Sequence, residues 1–491
     1  MKIKQFFTAG LGLFLLSSCS KSFLELTPQT GVSVANFFIS EDDFTKAVTG
    51  AYRPLQNLYY DAYVMGEMRS DNTYYLYNTS NRGGQIVEKE NINTFTDVAT
   101  NSYVYNKYIN CYDGIAKTNA VLQRIDGASI SATTKSNLKG QAEFLRAFYY
   151  FELVQYFGGV PLHLKEVSTV AETALPRSSA ADVYKQILAD ATDAAAMLPK
   201  TQTVKGQVTQ GSAKMLLGYI YMTLKQYPDA ERVLKDVTTL GYSLLPDYAS
   251  VFDPTNKNNA ESIFEVQYLQ GTQGLQSNFA YQFAPGVTDT KNITGQTGNS
   301  QNLGDWNIPT ADLIAAYEPG DKRKAASIAD SYVNPAGATV AQPFVIKYLH
   351  PHAQFNNTND NWPVYRYADA LLLLAECLNE QGKAAEAVPY LNQVRARAGL
   401  AATTATAQTD LRTAIAKERR VELAFENHRW LDLVRTGQAI PVMTAYGAKQ
   451  KAIRPYLTGN VYNVTENRLL FPIPQNELLI NKLLTQNPGY L

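Results

Sequence analysis

The stretch ADALLLLAECLNEQGKAAEAVPYLNQV, from Ala368 to Val394, has the pattern of two helices joined by a short turn. A long apolar run ends near Gly382, and a second helical pattern begins through an alanine. The stretch AKMLLGYIYMTLKQYPDAERVLKDV, which starts at Ala213, repeats this arrangement with Pro228 at its turn. Two such helices leave an apolar face that they cannot bury alone, so neighbouring pairs have to stack. The sequence therefore predicts a mainly α-helical scaffold built from helical pairs.

Two further stretches extend the predicted scaffold. In QAEFLRAFYYFELVQYFGGVP, which starts at Gln141, apolar residues recur at helical spacing until the chain reaches Gly158 and Gly159. This helix is apolar on nearly every face, which predicts that it is buried. The preceding stretch NKYINCYDGIAKTNAVLQRI, which starts at Asn106, can pair with it. Helical pairs of this length look like tetratricopeptide units.

The helical pattern breaks down between about Leu245 and Trp362. This segment is rich in Gly, Asn, Thr and Gln with scattered aromatic residues, as in GTQGLQSNFAYQFAPGV. A long non-helical insertion in a helical scaffold is usually functional. We therefore predict one domain at 19–491, in which a scaffold at about 35–245 and 363–491 carries a loop-rich variable lobe at about 246–362.

Composition narrows the class of partner. The chain has 491 residues, and its 44 Lys and Arg side chains balance 44 Asp and Glu. Without net charge there is no long-range field to recruit nucleic acid or anionic lipid, so we expect no nucleic-acid partner. The 32 tyrosines outnumber the 20 phenylalanines, and a tyrosine ring offers apolar area together with a hydroxyl group that can remain hydrated. Such surfaces suit sugars and peptides.

The N-terminus has the features of a secretory signal at residues 1–18. Lys2 and Lys4 precede an apolar run, Phe6 to Leu16, that is too short to span a bilayer. The following LSSC, which ends at Cys19, resembles the lipobox of bacterial lipoproteins, in which the cysteine is lipidated. The alternative is an ordinary signal peptide with an incidental cysteine. We expect lipidation at Cys19 and a membrane anchor made of acyl chains.

Motifs of common catalytic and cofactor sites are missing from the sequence. It contains no Gly-x-x-x-x-Gly-Lys phosphate loop, no Gly-x-Ser-x-Gly elbow and no His-Glu-x-x-His helix. His350 and His352 flank Pro351, which favours a rigid surface loop over a metal site. Cys111 and Cys377 lie in helical patterns and are expected to be buried free thiols. We predict no cofactor and no metal, while spacing alone leaves open a distant carboxylate pair of the glycosidase type.

The stretch ERRVELAFENHRWLDLVR, from Glu418 to Arg435, concentrates charge on what reads as one helix. Glu418, Glu422 and Glu426 recur every four residues, so a helix would place them on one face. The arginines expected to pair with the last two, each three residues away, are Arg419 and Arg429. The stretch can be read as a catalytic carboxylate cluster or as a salt-bridged scaffold helix. Its apolar pattern favours the scaffold.

Six stretches together resemble the SusD/RagB family, the outer-membrane nutrient-binding lipoproteins of Bacteroidetes. They are CSKSFLELTP (from Cys19), QAEFLRAFYYFELVQYFGGVPL (from Gln141), YRYADALLLLAECL (from Tyr365), LNQVRARAG (from Leu391), ERRVELAFENHRWLDLVR (from Glu418) and FPIPQNELLINKLLTQNPGYL (from Phe471). These stretches span the chain from end to end. The resemblance implies a scaffold of tetratricopeptide-like pairs with a loop-rich, less regular lobe.

The resemblance also implies a role. Members are not enzymes; they capture an oligosaccharide, or in some cases a peptide, at the cell surface. They form a lid on a SusC-like TonB-dependent transporter in the outer membrane. The variable lobe matches the family least, so the resemblance does not specify the nutrient. Two other classes stay open, a secreted glycan hydrolase and a tetratricopeptide adaptor whose groove binds a partner protein.

One candidate binding segment is GEMRSDNTYYLYNTSNRGG, from Gly66 to Gly84. Aromatic rings stack on the C–H faces of sugars, and Asn, Asp and Arg side chains bond to sugar hydroxyl groups. The candidates for ligand contact are Arg69, Asp71, Asn72, Tyr74, Tyr75 and Tyr77. The alternative is that these tyrosines form a half-buried packing surface.

A second candidate lies in the variable lobe, where Trp306 is surrounded by Asn302, Asp305 and Asn307. This segment has no helical pattern that would bury the ring, so we expect Trp306 and Asn302 to contact the ligand. Trp362 directly precedes a scaffold motif and Trp430 lies in the charged stretch, so both are expected to belong to the core.

Overall fold

The protein is mainly helical, as predicted. The computed structural model describes residues 37–490, so the signal segment and Cys19 lie outside the described residues. The α-helices of the first half are α1 (Glu41–Tyr60), α2 (Ala62–Gly66), α3 (Gly84–Thr94), α4 (Ser102–Ile125), α5 (Ala132–Phe157), α6 (Ala180–Met197), α7 (Gln210–Thr223) and α8 (Tyr227–Val237). The remaining helices are α9 (Phe279–Phe283), α10 (Lys291–Thr294), α11 (Ala311–Ala316), α12 (Lys322–Ser327), α13 (Tyr367–Glu380), α14 (Ala384–Arg397), α15 (Gln408–Glu422), α16 (Arg429–Arg435), α17 (Ala439–Ile453) and α18 (Gln475–Ile480).

Besides short 3-10 helices such as Val170–Thr173, the described residues also contain eight short strands. They are β1 (Thr73–Tyr74), β2 (Ser262–Val266), β3 (Ile308–Pro309), β4 (Ile328–Ala329), β5 (Tyr332–Val333), β6 (Thr339–Val340), β7 (Phe344–Val345) and β8 (Trp362–Arg366). They form four two-stranded sheets, β1–β3, β2–β8, β4–β7 and β5–β6. No helix within residues 37–490 is both long and apolar enough to cross a membrane.

The predicted helical pairs are present, and they stack on one another. α7 and α8 form one pair and α13 and α14 another, each joined by the predicted turn. α4 packs on α5, α1 packs on α4, and α6 lies between α5 and α7. α8 contacts α13 directly, although the whole variable lobe separates them in sequence. The lobe is therefore an insertion into an otherwise continuous stack of helices.

α5 is buried on nearly every face, as its composition predicts. Phe144, Phe148 and Phe157 are each almost completely buried. The helix ends at Gly158, whose φ of 71° lies in the left-handed region that favours glycine. Its apolar surface therefore supplies a large part of the core around which the other helices pack.

Strands β2 and β8 connect the variable lobe to the scaffold. They pair antiparallel, with Ser262 opposite Arg366 and Val266 opposite Trp362. The Trp362 ring stacks on that of Tyr348, with 5.2 Å between ring centroids. Trp362 is thus a core residue, as predicted, and it lies where the lobe meets the helices.

The charged stretch from Glu418 to Arg435 is not one helix, which corrects the prediction. α15 ends and α16 begins within it. Between the two helices, Phe425 and Asn427 adopt left-handed conformations with φ of 67° and 73°. Their backbone N–H groups donate to the buried carboxylate of Glu67. This tertiary contact satisfies backbone groups that a continuous helix would have paired internally, and local spacing does not reveal it.

Glu422 lies at the centre of a buried ion-pair network. Its carboxylate accepts hydrogen bonds from Arg323, Arg366 and Arg397, and all four side chains are buried. Burial alone would raise the pKa of Glu422, but attraction from the three guanidinium groups lowers it well below its usual value. Arg323 belongs to the variable lobe and the other two arginines to the scaffold. The network therefore fastens the lobe to the helices.

The pairing expected for Arg419 with Glu422 and for Arg429 with Glu426 is wrong. Arg419 bonds to Asp369 and Asp432, Arg429 bonds to Asp71, and Glu426 pairs with Lys347 and Arg366. Side chains three residues apart are neighbours only along a continuous helix, and the turn between α15 and α16 places Glu426 elsewhere. Buried partners from distant segments satisfy these charges instead.

Two cysteines and one tryptophan occupy the interior as predicted. Cys111 and Cys377 are buried free thiols. Trp430 is buried against Phe95, with 5.5 Å between ring centroids. All three therefore contribute to packing in the core.

Candidate functional site

The two predicted binding segments lie side by side. β1 pairs antiparallel with β3, so Tyr74 lies opposite Ile308. Beyond the end of β1, the backbone N–H of Leu76 donates to the carbonyl oxygen of Asp305. The variable lobe therefore completes a surface together with the segment that follows α2.

Arg69 is an interior residue, which corrects its expected contact with a ligand. Its guanidinium donates to Asp97 at 2.5 Å and lies over the rings of Phe95 and Phe471, at 4.3 and 4.0 Å from their centroids. The side chains of Arg69 and Asp97 are both fully buried. A cation removed from water is stable only beside a carboxylate or ring faces, and Arg69 has both. Its role is to stabilise the core.

Asp71 and Asn72 also face the interior, so their expected ligand contacts are wrong. Asp71 pairs with Arg420 and Arg429, each at 2.8 Å. Asn72 donates to Glu67 and accepts from Arg420. Burial would raise the pKa of Asp71, but attraction from the two arginines lowers it. These bonds tie the segment after α2 to the end of α15 and the start of α16.

Trp306 and Tyr75 are buried as well, with exposed fractions of 6% and 4%. Their ring centroids are 6.1 Å apart, and the Lys89 ammonium lies 4.6 Å from the centre of the Trp306 ring. The expected ligand contact of Trp306 is therefore corrected to a packing role, and the packing alternative holds for Tyr75. A ring in a loop can be buried although the sequence around it has no helical periodicity, because a distant segment covers it. For Trp306 that segment is the one around Lys89.

Tyr74 and Tyr77 remain half-buried at the surface. The Tyr77 ring stacks on that of Tyr456, with 4.1 Å between centroids and 10° between planes. The guanidinium of Arg82 lies over the Tyr77 ring, and that of Arg454 lies over the Tyr74 ring. We call Tyr74, Tyr77 and Tyr456 the tyrosine patch. Its rings are accessible in part, but protein groups already cover several of their faces.

Asn302 is the remaining predicted contact, and it is exposed. Its side-chain oxygen accepts a hydrogen bond of 2.8 Å from Asn81. This bond joins the variable lobe to the loop that carries Arg82, next to the tyrosine patch. Asn302 therefore stays a candidate for ligand contact.

A cleft that the sequence analysis missed lies between α1 and α4. Its volume is about 280 Å³, close to the lower end of the range of roughly 300–1,000 Å³ that is usual for ligand pockets. Apolar side chains of the α1–α2 region contribute to its lining, together with two rings, one carboxylate and three amides. These polar and aromatic residues are Asn57, Tyr60, Asp61, Tyr103, Asn106 and Asn110. We call it the α1–α4 cleft.

The polar groups of the α1–α4 cleft have few partners inside the protein. Asp61 precedes α2, yet its side chain makes no capping hydrogen bond. Within residues 37–490 we find no hydrogen bond from a protein group to the side chains of Asn57, Asp61 or Asn106. Carboxylate and amide groups in a cleft are available to bond to the hydroxyl groups of a ligand. The cleft therefore combines ring surface with unpaired polar groups.

Asp61 supplies the accessible charge of the cleft. Burial raises the pKa of Asp61, and nearby Lys89 opposes that change. Burial also lowers the pKa of Lys89 to about 8, and its ammonium donates to the hydroxyl of Tyr63 at 2.8 Å. Lys107 lines the cleft but pairs with the buried carboxylate of Glu152 at 2.5 Å. Both cations are thus directed toward interior partners.

The variable lobe supports both rings of the cleft. The hydroxyl of Tyr60 accepts a hydrogen bond from Asn278, and the backbone carbonyl of Tyr60 accepts one from Gln282. The ammonium of Lys89 lies 5.4 Å from the centre of the Tyr103 ring and contacts Trp306 from the other segment. Trp306 therefore helps to build the wall behind Tyr103.

A signal for the α1–α4 cleft is present in the sequence. Tyr103, Asn106 and Asn110 are spaced at i, i+3 and i+7, which puts a ring and two amides on one helical face. A ring and a carboxylate follow Asn57 at i+3 and i+4 at the end of α1. A stripe of polar and aromatic residues on helices whose other positions are apolar therefore indicates such a cleft.

A larger cavity of about 600 Å³ lies among α13, α15, α16 and α17. Most of its charged side chains already form ion pairs with one another, Arg412 with Glu380, Arg435 with Glu376, and Arg419 with Asp432, while Arg429 pairs with Asp71 and only Lys225 has no ion pair among the described residues. Recognition of a polar ligand needs groups without protein partners, so we place the candidate site in the smaller α1–α4 cleft.

The two histidines around Pro351 bond to protein groups. His350 contacts Asp360 at 2.5 Å, and His352 contacts the hydroxyl of Tyr281 at 2.6 Å. In the part of the chain that the structure describes, no three His, Cys, Asp or Glu side chains are grouped so as to hold a metal ion.

Two protein-family models match separate parts of the chain. The model of the SusD family matches residues 337–490. A model described as starch-binding and associating with the outer membrane matches residues 22–222.

Individual relatives match over nearly the whole length. SusD-like protein P38 of Formosa agariphila is 28% identical, over 98% of this chain and 97% of its own. A solved structure of a laminarin-binding SusD-like protein is 27% identical with a TM-score of 0.78, covering 92% of this chain and 100% of that one. The structure of a SusD superfamily protein from Bacteroides vulgatus is 26% identical with a TM-score of 0.76, at 92% and 100% coverage. The likeness therefore includes both the helical scaffold and the variable lobe.

Proposed function

The chain belongs to the SusD/RagB family, and on this premise we propose that it captures an oligosaccharide at the cell surface without cleaving it. The observation that carries the proposal is the α1–α4 cleft, where Tyr60 and Tyr103 flank unpaired carboxylate and amide groups. Ring faces bind the C–H faces of sugars, while the polar groups bond to hydroxyls. The laminarin-binding description of one similar structure and the starch-binding description of one matching model support a carbohydrate ligand.

We further propose that the protein acts at the outer membrane and passes its ligand to a SusC-like TonB-dependent transporter. Anchoring through a lipid on Cys19 would hold the protein at the membrane, and display on the outer face would bring the cleft to the nutrient. The matching family model that is described as associating with the outer membrane supports this location. The resemblance of LSSC to a lipobox supports the anchor.

A peptide, or another nutrient in the same role, is the second candidate ligand. The unpaired amides of the cleft can bond to a peptide backbone as well as to sugar hydroxyls. A hydrolytic role is the least favoured, because the cleft contributes one unpaired carboxylate where glycoside hydrolysis usually employs two.

Replacing Tyr60 with alanine should weaken binding of the cognate oligosaccharide about ten- to a hundredfold, because central aromatic anchors usually contribute about 1–3 kcal/mol. Tyr60 is 36% exposed, so the fold should survive the change. Calorimetry with glycans selected from an array measures the effect, and Tyr60→Phe, which keeps the ring, should bind nearly as the natural protein does.

A parallel variant, Tyr77→Ala, tests the tyrosine patch. Unchanged binding in Tyr60→Ala combined with a loss in Tyr77→Ala would move the ligand from the cleft to the patch. Binding of peptides alone would favour the second candidate, and turnover of any oligosaccharide by the purified protein would contradict capture without cleavage.

Replacing Cys19 with alanine should release the protein from the membrane, because a thioether-linked lipid needs the cysteine sulfur. Fractionation of cells and labelling with a fatty-acid analogue measure the change, with Cys111→Ala as a control that leaves the N-terminus intact. A Cys19→Ala protein that is still labelled and membrane-bound would contradict the lipid anchor.

A further inference from the structure

The α1–α4 cleft presents one accessible charge, and that charge is negative. The Asp61 carboxylate lines the cleft, and among the described residues it has no hydrogen-bonding partner. Besides Lys107 and the hydroxyls of Tyr60 and Tyr103, the polar side chains that line it are three neutral amides, Asn57, Asn106 and Asn110. One carboxylate and several amides are thus the groups that the cleft offers to the hydroxyls of a sugar unit.

The nearest cations, Lys107 and Lys89, are held by interior partners. Lys107 is 5% exposed and pairs with Glu152. Lys89 is not part of the lining, is 9% exposed, and bonds to the hydroxyl of Tyr63. If Lys107 turned toward a ligand, the buried carboxylate of Glu152 would lose its partner, and Lys89 would lose its bond to the Tyr63 hydroxyl.

We propose that the α1–α4 cleft selects neutral sugar units and rejects units that carry a carboxylate or a sulfate. This inference rests on the proposed function and names the class of glycan that the same site takes. A neutral sugar donates hydroxyl hydrogens to the carboxylate of Asp61, and such charge-assisted bonds are stronger than neutral ones. An anionic substituent would be repelled by the Asp61 carboxylate, and the repulsion is stronger where water is partly excluded. Lys89 and Lys107 would not offset it, because both are held by interior partners.

The selection applies to the sugar unit in the cleft and not to the whole oligosaccharide. Arginines occur at the tyrosine patch, where Arg454 lies over Tyr74 and Arg82 pairs with Glu90. Charged substituents on units that lie outside the cleft can therefore be tolerated. A ligand in which every unit is acidic has no unit that the cleft accepts.

A glycan array tests the class of ligand. The probes are neutral hexasaccharides of the laminari-, malto-, cello-, xylo- and manno- series, and acidic ones from polygalacturonate, alginate and heparin. We expect binding in the neutral set only. If a fully acidic probe binds the natural protein and Tyr60→Ala abolishes that binding, the charge selection is overturned, while the proposal of glycan capture still holds. Absence of binding to every glycan would overturn the proposed function, and the selection with it.

A matched ligand pair then tests the role of Asp61. The neutral hexasaccharide that binds best is compared with the same molecule after introduction of carboxylates, by oxidation of its primary alcohols or, for a xylose chain, by uronate side groups. Calorimetry at neutral pH should show at least a tenfold weaker affinity for the acidic form. In Asp61→Asn this difference should shrink to less than threefold, because the amide is neutral, and a melting curve confirms that the variant is folded.

Two results of that comparison would overturn the proposal. One is equal or tighter binding of the acidic form by the natural protein. The other is a folded Asp61→Asn variant that keeps the full difference between the two forms. High salt should narrow the difference in the natural protein, since ions screen the repulsion.

Discussion

Replacing Glu422 with alanine should lower the free energy of unfolding by about 3–5 kcal/mol, because it leaves buried cations without their carboxylate. Three guanidinium groups donate to Glu422, from Arg323, Arg366 and Arg397. A buried ion-pair network adds little stability over well-packed apolar residues of the same volume. Removing one of its members is nevertheless costly, because the remaining buried charges lose their partner and cannot be hydrated. Denaturant unfolding of the natural protein and the variant measures the difference.

An exposed glutamate on the same scaffold provides the control. Glu386 is 56% exposed in its side chain and approaches Lys235 at 3.5 Å. Glu386→Ala should change stability by less than about 0.5 kcal/mol, because surface pairs contribute little. A Glu422→Ala protein that unfolds like the natural one but no longer binds glycan would contradict the structural role and move this residue into the site.

The same network predicts the direction of a pH effect. The pKa of Glu422 is lower in the folded protein than its usual value of 4.5. Its contribution to stability is therefore complete above that value and is lost as the pH falls toward the folded pKa. Acid should thus weaken the joint between the variable lobe and the scaffold.

The helical pairs could be predicted from the sequence because their signals are local. Apolar spacing along Ala368–Val394, with Gly382 at the turn, is enough to specify two helices. The break between α15 and α16 could not be predicted in the same way. It depends on the Glu67 carboxylate, which lies hundreds of residues away and accepts the N–H groups of the turn.

The site was less predictable for the same physical reason. Aromatic and polar residues clustered after α2 in the sequence, but Arg69 and Asp71 found interior partners, Asp97 and Arg429, that no spacing rule connects to them. The α1–α4 cleft combines residues of two helices with lobe contacts such as that of Asn278 with Tyr60. Recognition sites formed by distant segments become apparent only when the packing is known.

The fold connects the variable lobe to the candidate site. The lobe supports Tyr60 through Asn278 and the wall behind Tyr103 through Trp306 and Lys89. A change in the lobe can therefore alter the shape of the cleft without altering the helices. This arrangement lets one helical scaffold present different binding surfaces.

Replacing Trp306 with alanine should lower the free energy of unfolding by about 3–5 kcal/mol, which is the usual cost of removing a buried aromatic ring. The ring packs beside Tyr75 and beneath the ammonium of Lys89, so its loss leaves a cavity and strips a buried cation of a favourable contact. Trp306→Phe, which keeps a ring at this position, should recover part of the loss. Denaturant unfolding of both variants measures these costs.

Calorimetry well below the unfolding transition separates packing from ligand contact at Trp306. Because the ring is 6% exposed, affinity in Trp306→Ala should fall far less than in Tyr60→Ala, whose ring lines the cleft. The remaining loss should come from a loosened wall behind Tyr103, since Lys89 contacts both rings. A Trp306→Ala protein of natural stability with a tenfold or greater loss of affinity would instead show that this tryptophan contacts the glycan directly.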